Sequence, residues 1–292
     1  MKPAPFKYYA PTTVEEVLAH LAEYGYDAKV LAGGQSLIPM LNFRLAQPSV
    51  LVDLNNVSEL FYIRPGENSG LLLGAMTRQS QVEHDALVAK RAPLVHEVMP
   101  QIAYPQIRTR GTFGGSLAHA DPSAELVAVN IALNGRLRLR SQAGERWVPA
   151  DEFFVGLFTT ILEPDELLVE VALPAMPPRS GWSFLQITRR HHDFCIAGVA
   201  VLVTLDDKDQ CEQARLVFLS AGDGPVNAHQ AAEMLMGQAP TPEAIRAAAE
   251  KAASDEIDPG SDIHASAEYR RHLAKVLARR ALTQAFDRAR GG

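Results

Sequence analysis

Ala32-Gly33-Gly34-Gln35-Ser36 and Gly111-Thr112-Phe113-Gly114-Gly115-Ser116 are two glycine-rich turns, each beside an apolar stretch and each ending in a small hydroxyl residue. Paired glycines let the backbone take φ > 0 and approach a ligand with no Cβ in the way. Successive N–H groups can then converge into an anion-binding nest. One such turn is common in surface loops. Two of them, about eighty residues apart, imply a diphosphate held from both sides and therefore a dinucleotide cofactor.

The residues around the first turn form a small unit. Thr13-Val14-Glu15-Glu16 reads as a capping box with Thr13 at the N-cap and Glu16 at N3. Val17, Leu18 and Leu21 supply one apolar face, and Gly25 is a C-terminal stop. Lys29-Val30-Leu31-Ala32 is a short buried strand leading into the turn, Leu37 to Leu41 a single helical turn, and Val50 to Leu54 a second strand. A boundary near Asn55–Ser58 opens a second region. There Leu71 to Ala75 reads as a strand, Ser80 to Val88 as one short helix, and Pro93 to Ile102 as another. After the second glycine turn come an apolar run, Leu126 to Leu133, and an alternating strand, Arg136 to Arg140. A turn at Glu163–Glu166 and a strand, Leu167 to Leu173, complete the region.

Pro174-Ala175-Met176-Pro177-Pro178 is the linker, because three prolines in five residues cannot lie inside a helix or central strand. Beyond it, strands at Ala197–Leu205 and Ala214–Leu219 flank a polar turn, Asp206 to Asp209. Two helices close the chain. One starts at Thr241-Pro242-Glu243; the other starts at Ser266, with Tyr269, Leu273, Val276 and Leu277 on one face and a set of basic residues read as solvated. Strands followed by helices give an α+β arrangement, divided as residues 1–57, 58–177 and 178–292.

Composition excludes several classes. The chain has 292 residues, 47% hydrophobic content and net charge −6, with acids and bases interspersed. It is large enough for real cores and lacks the basic stripe of a nucleic-acid binder. No stretch approaches the roughly 20 apolar residues of a membrane span. Met1-Lys2-Pro3-Ala4-Pro5 has no apolar core like that of a secretory signal, so the expectation is a soluble cytoplasmic protein. Cys195 and Cys211 are the only cysteines, too few for a cluster with four thiolate ligands, and both read as small buried apolar residues. The nine histidines show no metal-ligand spacing.

Lys29-Val30-Leu31-Ala32-Gly33-Gly34-Gln35-Ser36-Leu37-Ile38-Pro39-Met40 closely resembles the first FAD-binding segment of the flavoprotein subunits of molybdenum hydroxylases, the family of xanthine dehydrogenase and aerobic carbon monoxide dehydrogenase. The similarity returns from Pro105 through Gly111 to Pro122, and again at Thr188-Arg189-Arg190-His191-His192-Asp193-Phe194, which looks like the segment reaching the flavin from the C-terminal domain. The resemblance implies the vanillyl-alcohol-oxidase (PCMH) type FAD fold: two α/β subdomains and a C-terminal domain of sheet plus helices. It implies that residues 32–36 and 112–116 offer backbone N–H groups to the pyrophosphate. Lys29, Val30, Leu31 and Ile102 sit where relatives contact FAD, as does Arg190 in the third segment. Glu125 stands where relatives carry an acid, often Asp, near the nucleotide portion, and Leu168 where a residue lies beside the flavin. Gln35 replaces a common histidine, which leaves the backbone nest intact.

The same resemblance implies an electron-transfer subunit, paired with a small [2Fe–2S] subunit and a large molybdopterin subunit that oxidises the organic substrate. A self-sufficient flavin oxidase of this fold and a flavin-free assembly module are the alternatives. Gln35 cannot tether a flavin covalently, which weighs against the oxidase; two intact glycine turns weigh against the module. Phe194 has two readings: a ring stacked on the isoalloxazine, or the first inward residue of a strand running to Leu205. A valine at Gly34 or Gly114 is expected to block the phosphate path with folding retained.

Overall fold

The computed structural model describes residues 1–291. Three sheets of three or more strands follow one another along the chain, besides a two-stranded hairpin of Phe154–Gly156 and Thr159–Thr160. The first has three parallel strands, with Val50–Asp53 between Lys7–Tyr9 and Ala28–Leu31. Helix Val14–Tyr24 covers it, burying Val14, Val17, Leu18 and Leu21. These are i, i+3, i+4 and i+7, one stripe of the helix, and full burial of each such side chain contributes roughly 1.5–3 kcal/mol. The capping box forms: Thr13 Oγ1 accepts from the Glu16 N–H at 3.2 Å, and Glu16 Oε2 accepts from the Thr13 N–H. The helix ends at Gly25, whose φ is +48°.

The second sheet is antiparallel, in the order Ile63–Pro65, Leu71–Gly74, Leu167–Leu173, Arg136–Ser141, Gly144–Pro149. Short helices cover it, among them Phe113–His119 and Glu125–Ala132. The third is an antiparallel meander of Ser180–Thr188, Cys195–Leu205, Cys211–Leu219 and Val226–Asn227. Helix Ala267–Gly291 lies against its first two strands, and Glu125–Ala132 against Cys195–Leu205 and Cys211–Leu219. Strand Cys195–Leu205 is therefore covered on both sides. Ala200 joins the core of the second sheet, while Val199, Val201 and Val203 join that of the last helix. Burial on both faces explains a continuous apolar run where a half-exposed strand would alternate. Helix Glu125–Ala132 is buried at every residue for the same reason.

Several local expectations change. The helix expected over Ser80–Val88 is two, Gln79–His84 and Ala86–Arg91, because the Asp85 carboxylate accepts from the Leu87 and Val88 N–H groups and starts a new helix. Strands Lys7–Tyr9, Ile63–Pro65, Gly144–Pro149 and Ser180–Thr188 were not anticipated. The buried face of the last helix is made of Ala274, Ala278, Ala281, Ala285 and Ala289 with Leu277, Leu282 and Phe286, while Tyr269 is exposed. Arg270 is not solvated: it is buried, donates to the Ile196 carbonyl at 2.8 Å and pairs with Asp262. The Asp206–Asp209 segment is a hairpin turn in which Asp206 Oδ1 accepts from the Lys208 and Gln210 N–H groups. Both cysteines are buried free thiols. No helix among the described residues is long and apolar enough to cross a membrane.

Candidate functional site

The two glycine turns meet in space. A Cβ placed on Gly33 would lie 2.3 Å from the Arg110 carbonyl oxygen, and one on Gly115 would lie 3.1 Å from the Ala32 methyl. Only glycine permits so close an approach. Gly34 serves differently, holding φ at +75°, the left-handed region that costs an ordinary residue roughly 1–2 kcal/mol. Asn55 and Arg78 tie the turns together. The Asn55 amide donates to the Ala32 carbonyl at 3.0 Å, and Arg78 donates to both Asn55 Oδ1 and the Arg110 carbonyl. The sequence carried no signal for this clamp, because its members are brought together only by the first sheet and the packed turns.

The hydrogen bonding of the two turns differs. The amides of Gly33, Gly34, Gln35 and Ser36 make no hydrogen bond within the described protein, while Gln35 Nε2 donates back to the Gly33 carbonyl at 3.1 Å. In the second turn the Phe113 N–H donates to the Thr77 carbonyl, Gly114 to Ala75, Gly115 to Thr112 Oγ1 and Ser116 to the Thr112 carbonyl. The first turn is thus an open nest of backbone donors. The second is a buttress whose amides are already engaged.

A cavity of about 830 Å³ opens over both turns, within the range of cofactor sites. Lys29, Val30 and Ala32 to Ser36 line it, with Ile102, Gly111, Thr112, Gly114 to Ser116, Glu125, Leu168 and Phe194. Leu31, Phe113 and Arg190 are not among the lining residues. The Leu31 side chain packs under the turn at Gly34, Phe113 is in the core, and Arg190 points outward and pairs with Asp193 at 3.5 Å. Leu168 sits at a β-bulge, where the register of Leu167–Leu173 shifts between Leu168 and Glu170. Such bulges re-aim side chains beside sites.

Phe194 is 75% exposed at the cavity mouth, and the strand starts only at Cys195. The inward reading of Phe194 is therefore excluded. Other aromatic residues of the lining were not singled out from sequence: Tyr26, Tyr104, His119, Phe158 and His192. Phe158 meets His119 with ring centroids 5.1 Å apart, and Tyr104 meets His192 at 5.2 Å. Burial holds the His119 pKa below its ordinary value. For the same reason, that burial disfavours the charged form, the Glu125 carboxyl is pushed up to about 7.

Comparison with known proteins identifies what this arrangement holds. Residues 4–176 match the FAD binding domain in molybdopterin dehydrogenase, and residues 182–285 match the CO dehydrogenase flavoprotein C-terminal domain. The chain belongs to the FAD-binding medium subunits of the molybdenum hydroxylases. It is 41% identical over 290 residues to the alpha subunit of the 6-hydroxypseudooxynicotine dehydrogenase complex of Paenarthrobacter nicotinovorans, covering 99% of this chain and 97% of that one. It is 38% identical over 288 residues to the carbon monoxide dehydrogenase medium chain of Hydrogenophaga pseudoflava, covering 99% of each. A solved structure of carbon monoxide dehydrogenase from that organism superposes with a TM-score of 0.95 at 38% identity, again over 99% of both chains. As a medium subunit, the protein is an oxidoreductase component that binds FAD. The residues present fit the cofactor: four backbone amides without a partner among the described residues line the cavity together with Lys29, and aromatic and aliphatic side chains line the rest.

Proposed function

We propose that the chain is the electron-transfer subunit of a cytoplasmic molybdenum hydroxylase. In this reading it receives electrons from the [2Fe–2S] cluster of a small partner subunit and delivers them to an external acceptor. The organic substrate is oxidised on a large molybdopterin subunit. The observation that carries this is the open nest at Gly33–Ser36 on the floor of a cavity of cofactor size, in a chain of this family. Bound FAD supplies the two-electron and one-electron chemistry that links such partners. The protein's part is to hold, orient and shield it. The Gly33 to Ser36 amides receive the pyrophosphate, helped by Lys29 and buttressed by residues 111–116. Ile102 and Leu168 bound the apolar part of the site, and Phe194 covers one face of the ring.

In this proposal the fold is of the vanillyl-alcohol-oxidase (PCMH) type. Subdomains 1–57 and 58–177 form the FAD site, and 178–292 brings the Phe194 segment to it. Leu31, Phe113 and Arg190 act through backbone or support, since their side chains stand away from the lining.

Reconstitution tests the reading. The purified flavinylated chain should exchange electrons with artificial carriers yet dehydrogenate no organic substrate of a molybdenum hydroxylase. Turnover should appear only when iron–sulfur and molybdenum subunits are added. Substrate-dependent bleaching of the flavin in the single subunit would overturn it.

A further inference from the structure

The first glycine turn is held from behind by groups that do not line the cavity. Asn55, in the short helix Leu54–Asn56 that follows the middle strand, donates its side-chain amide to the Ala32 carbonyl at 3.0 Å. The Ala32 C=O and the Gly33 N–H belong to one planar trans peptide and point in opposite directions. Gly33 lines the cavity and Asn55 does not, so a carbonyl turned to Asn55 leaves the Gly33 N–H facing the cavity. The next peptide is held locally, by Gln35 Nε2 on the Gly33 carbonyl.

Asn55 is itself aimed from two sides. Asp53 Oδ1 accepts from the Asn55 backbone N–H at 2.9 Å and from its side-chain amide, while the Tyr8 hydroxyl donates to Asp53 Oδ2 at 2.6 Å. Arg78 donates to Asn55 Oδ1, which leaves the amide nitrogen for Ala32. Arg78 arrives from beside the second turn. Its backbone bridges Thr112, the Gln79 N–H donates to the Gly111 carbonyl at 2.9 Å, and its guanidinium also donates to the Arg110 carbonyl. Both guanidinium bonds thus go to neutral oxygens. Asp53, the acid within its field, is engaged by Tyr8 and Asn55, and Arg110 adds like charge. The Arg78 cation is left to act on an anion in the nest.

Resting on the reading of the cavity as the FAD site, we propose that Asn55 and Arg78 are positioning residues for the diphosphate: Asn55 fixes the peptide that presents the Gly33 N–H, and Arg78 fixes the Asn55 amide and sets a positive charge behind the nest. Neither side chain touches the cofactor. Their effect falls on the phosphate-bearing part of the ligand and spares the ring. A clamp that merely held the two turns together would act on every ligand of the cavity alike.

Fluorescence titration of the flavin-free protein with FAD and with riboflavin, which lacks the diphosphate, separates these outcomes without any partner subunit. Asn55→Ala should weaken FAD binding by about 5–20-fold and leave riboflavin within about twofold. Arg78→Met should weaken FAD further and flatten the salt dependence of its Kd, because the cation is gone. Arg78→Lys keeps the charge and loses the fork, so it should resemble Asn55→Ala and retain the wild-type salt dependence. Adding Asn55→Ala to Arg78→Lys should cost little more, since both act through one contact. Should Arg78→Met fail to fold, the Asn55→Ala and Arg78→Lys proteins decide. Equal weakening of FAD and riboflavin, or unchanged FAD binding with a lowered Tm, overturns the proposal about Asn55 and Arg78. A wild-type protein that binds FAD no more tightly than riboflavin would instead overturn the reading of the cavity.

Discussion

Replacing Gly34 by alanine separates the nest from the rest of the fold. Gly34 holds φ at +75°, so a Cβ there costs roughly 1–2 kcal/mol of backbone strain. The added methyl meets Ile38 Cγ1 at 3.1 Å and Leu31 Cδ1 at 3.2 Å. Both are ends of flexible side chains, which can move by a few tenths of an ångström. Folding is therefore preserved, with Tm lowered by about 2–8 °C at roughly 2–4 °C per kcal/mol.

Where the flavin-free turn instead escapes the strain by leaving φ > 0, the Tm is spared and the Gly33 to Ser36 amides no longer stand as a nest. Restoring the nest on binding then costs that same 1–2 kcal/mol, or about 5–30-fold in Kd. Fluorescence titration with FAD, alongside thermal unfolding of the flavin-free protein, measures both quantities. Gly114→Ala is the contrast. Its Cβ would lie 2.6–2.8 Å from Ala75, backbone included, in the core. That variant should lose folding itself, contrary to the expectation that both glycines could be replaced with the fold retained. A Gly34→Ala protein that binds FAD as tightly as wild type with unchanged Tm would refute the open-nest reasoning.

Phe194→Ala should leave FAD bound, because a stacked ring adds only about 1 kcal/mol beyond its area. It should speed reoxidation by oxygen and small acceptors in stopped-flow traces; identical kinetics and flavin spectrum would remove the ring from the site. Arg108 is buried, donates to the Ile102 and Ala103 carbonyls at 2.9 Å, and forks onto Glu83 at 2.8 and 2.9 Å. Arg108→Leu strands Glu83 and both carbonyls, so it should destabilise by about 3–5 kcal/mol in urea unfolding and loosen the cavity wall at Ile102. The Arg108 guanidinium holds the Glu83 carboxyl below the usual range. The stability this pair contributes is present above the unfolded value of about 4.3 and lost as pH falls below it. Glu83→Gln should accordingly be weaker at neutral pH yet show a shallower acid limb in its stability profile.

The sequence by itself determined the local punctuation of this protein. Thr13 and Glu16 cap a helix, Gly25 ends it, Thr241 and Pro242 start another, and three prolines end the Leu167–Leu173 strand, because each is decided by side chain and backbone within a few residues. The glycine turns were legible on the same terms, and with them the family. Tertiary structure decided what depends on distant neighbours. The second turn is closed because Thr77 and Ala75, about forty residues earlier, take the Phe113 and Gly114 amides. Strand Ser180–Thr188 gave no apolar alternation because both its faces are packed, Trp182 and Phe184 toward the second-sheet core and Leu185 and Ile187 toward the last helix, which at Gly181 comes so near that a Cβ would fall 1.8 Å from the Ala285 carbonyl oxygen. The same closeness puts alanines, not Tyr269 or Val276, on the buried face of that helix. Glu125 became a buried acid only when Gln186, its hydrogen-bond donor, and Cys195, some sixty to seventy residues later, closed over it. Local chemistry fixes where elements begin and end, whereas burial and the pairing of backbone donors are properties of the assembled chain.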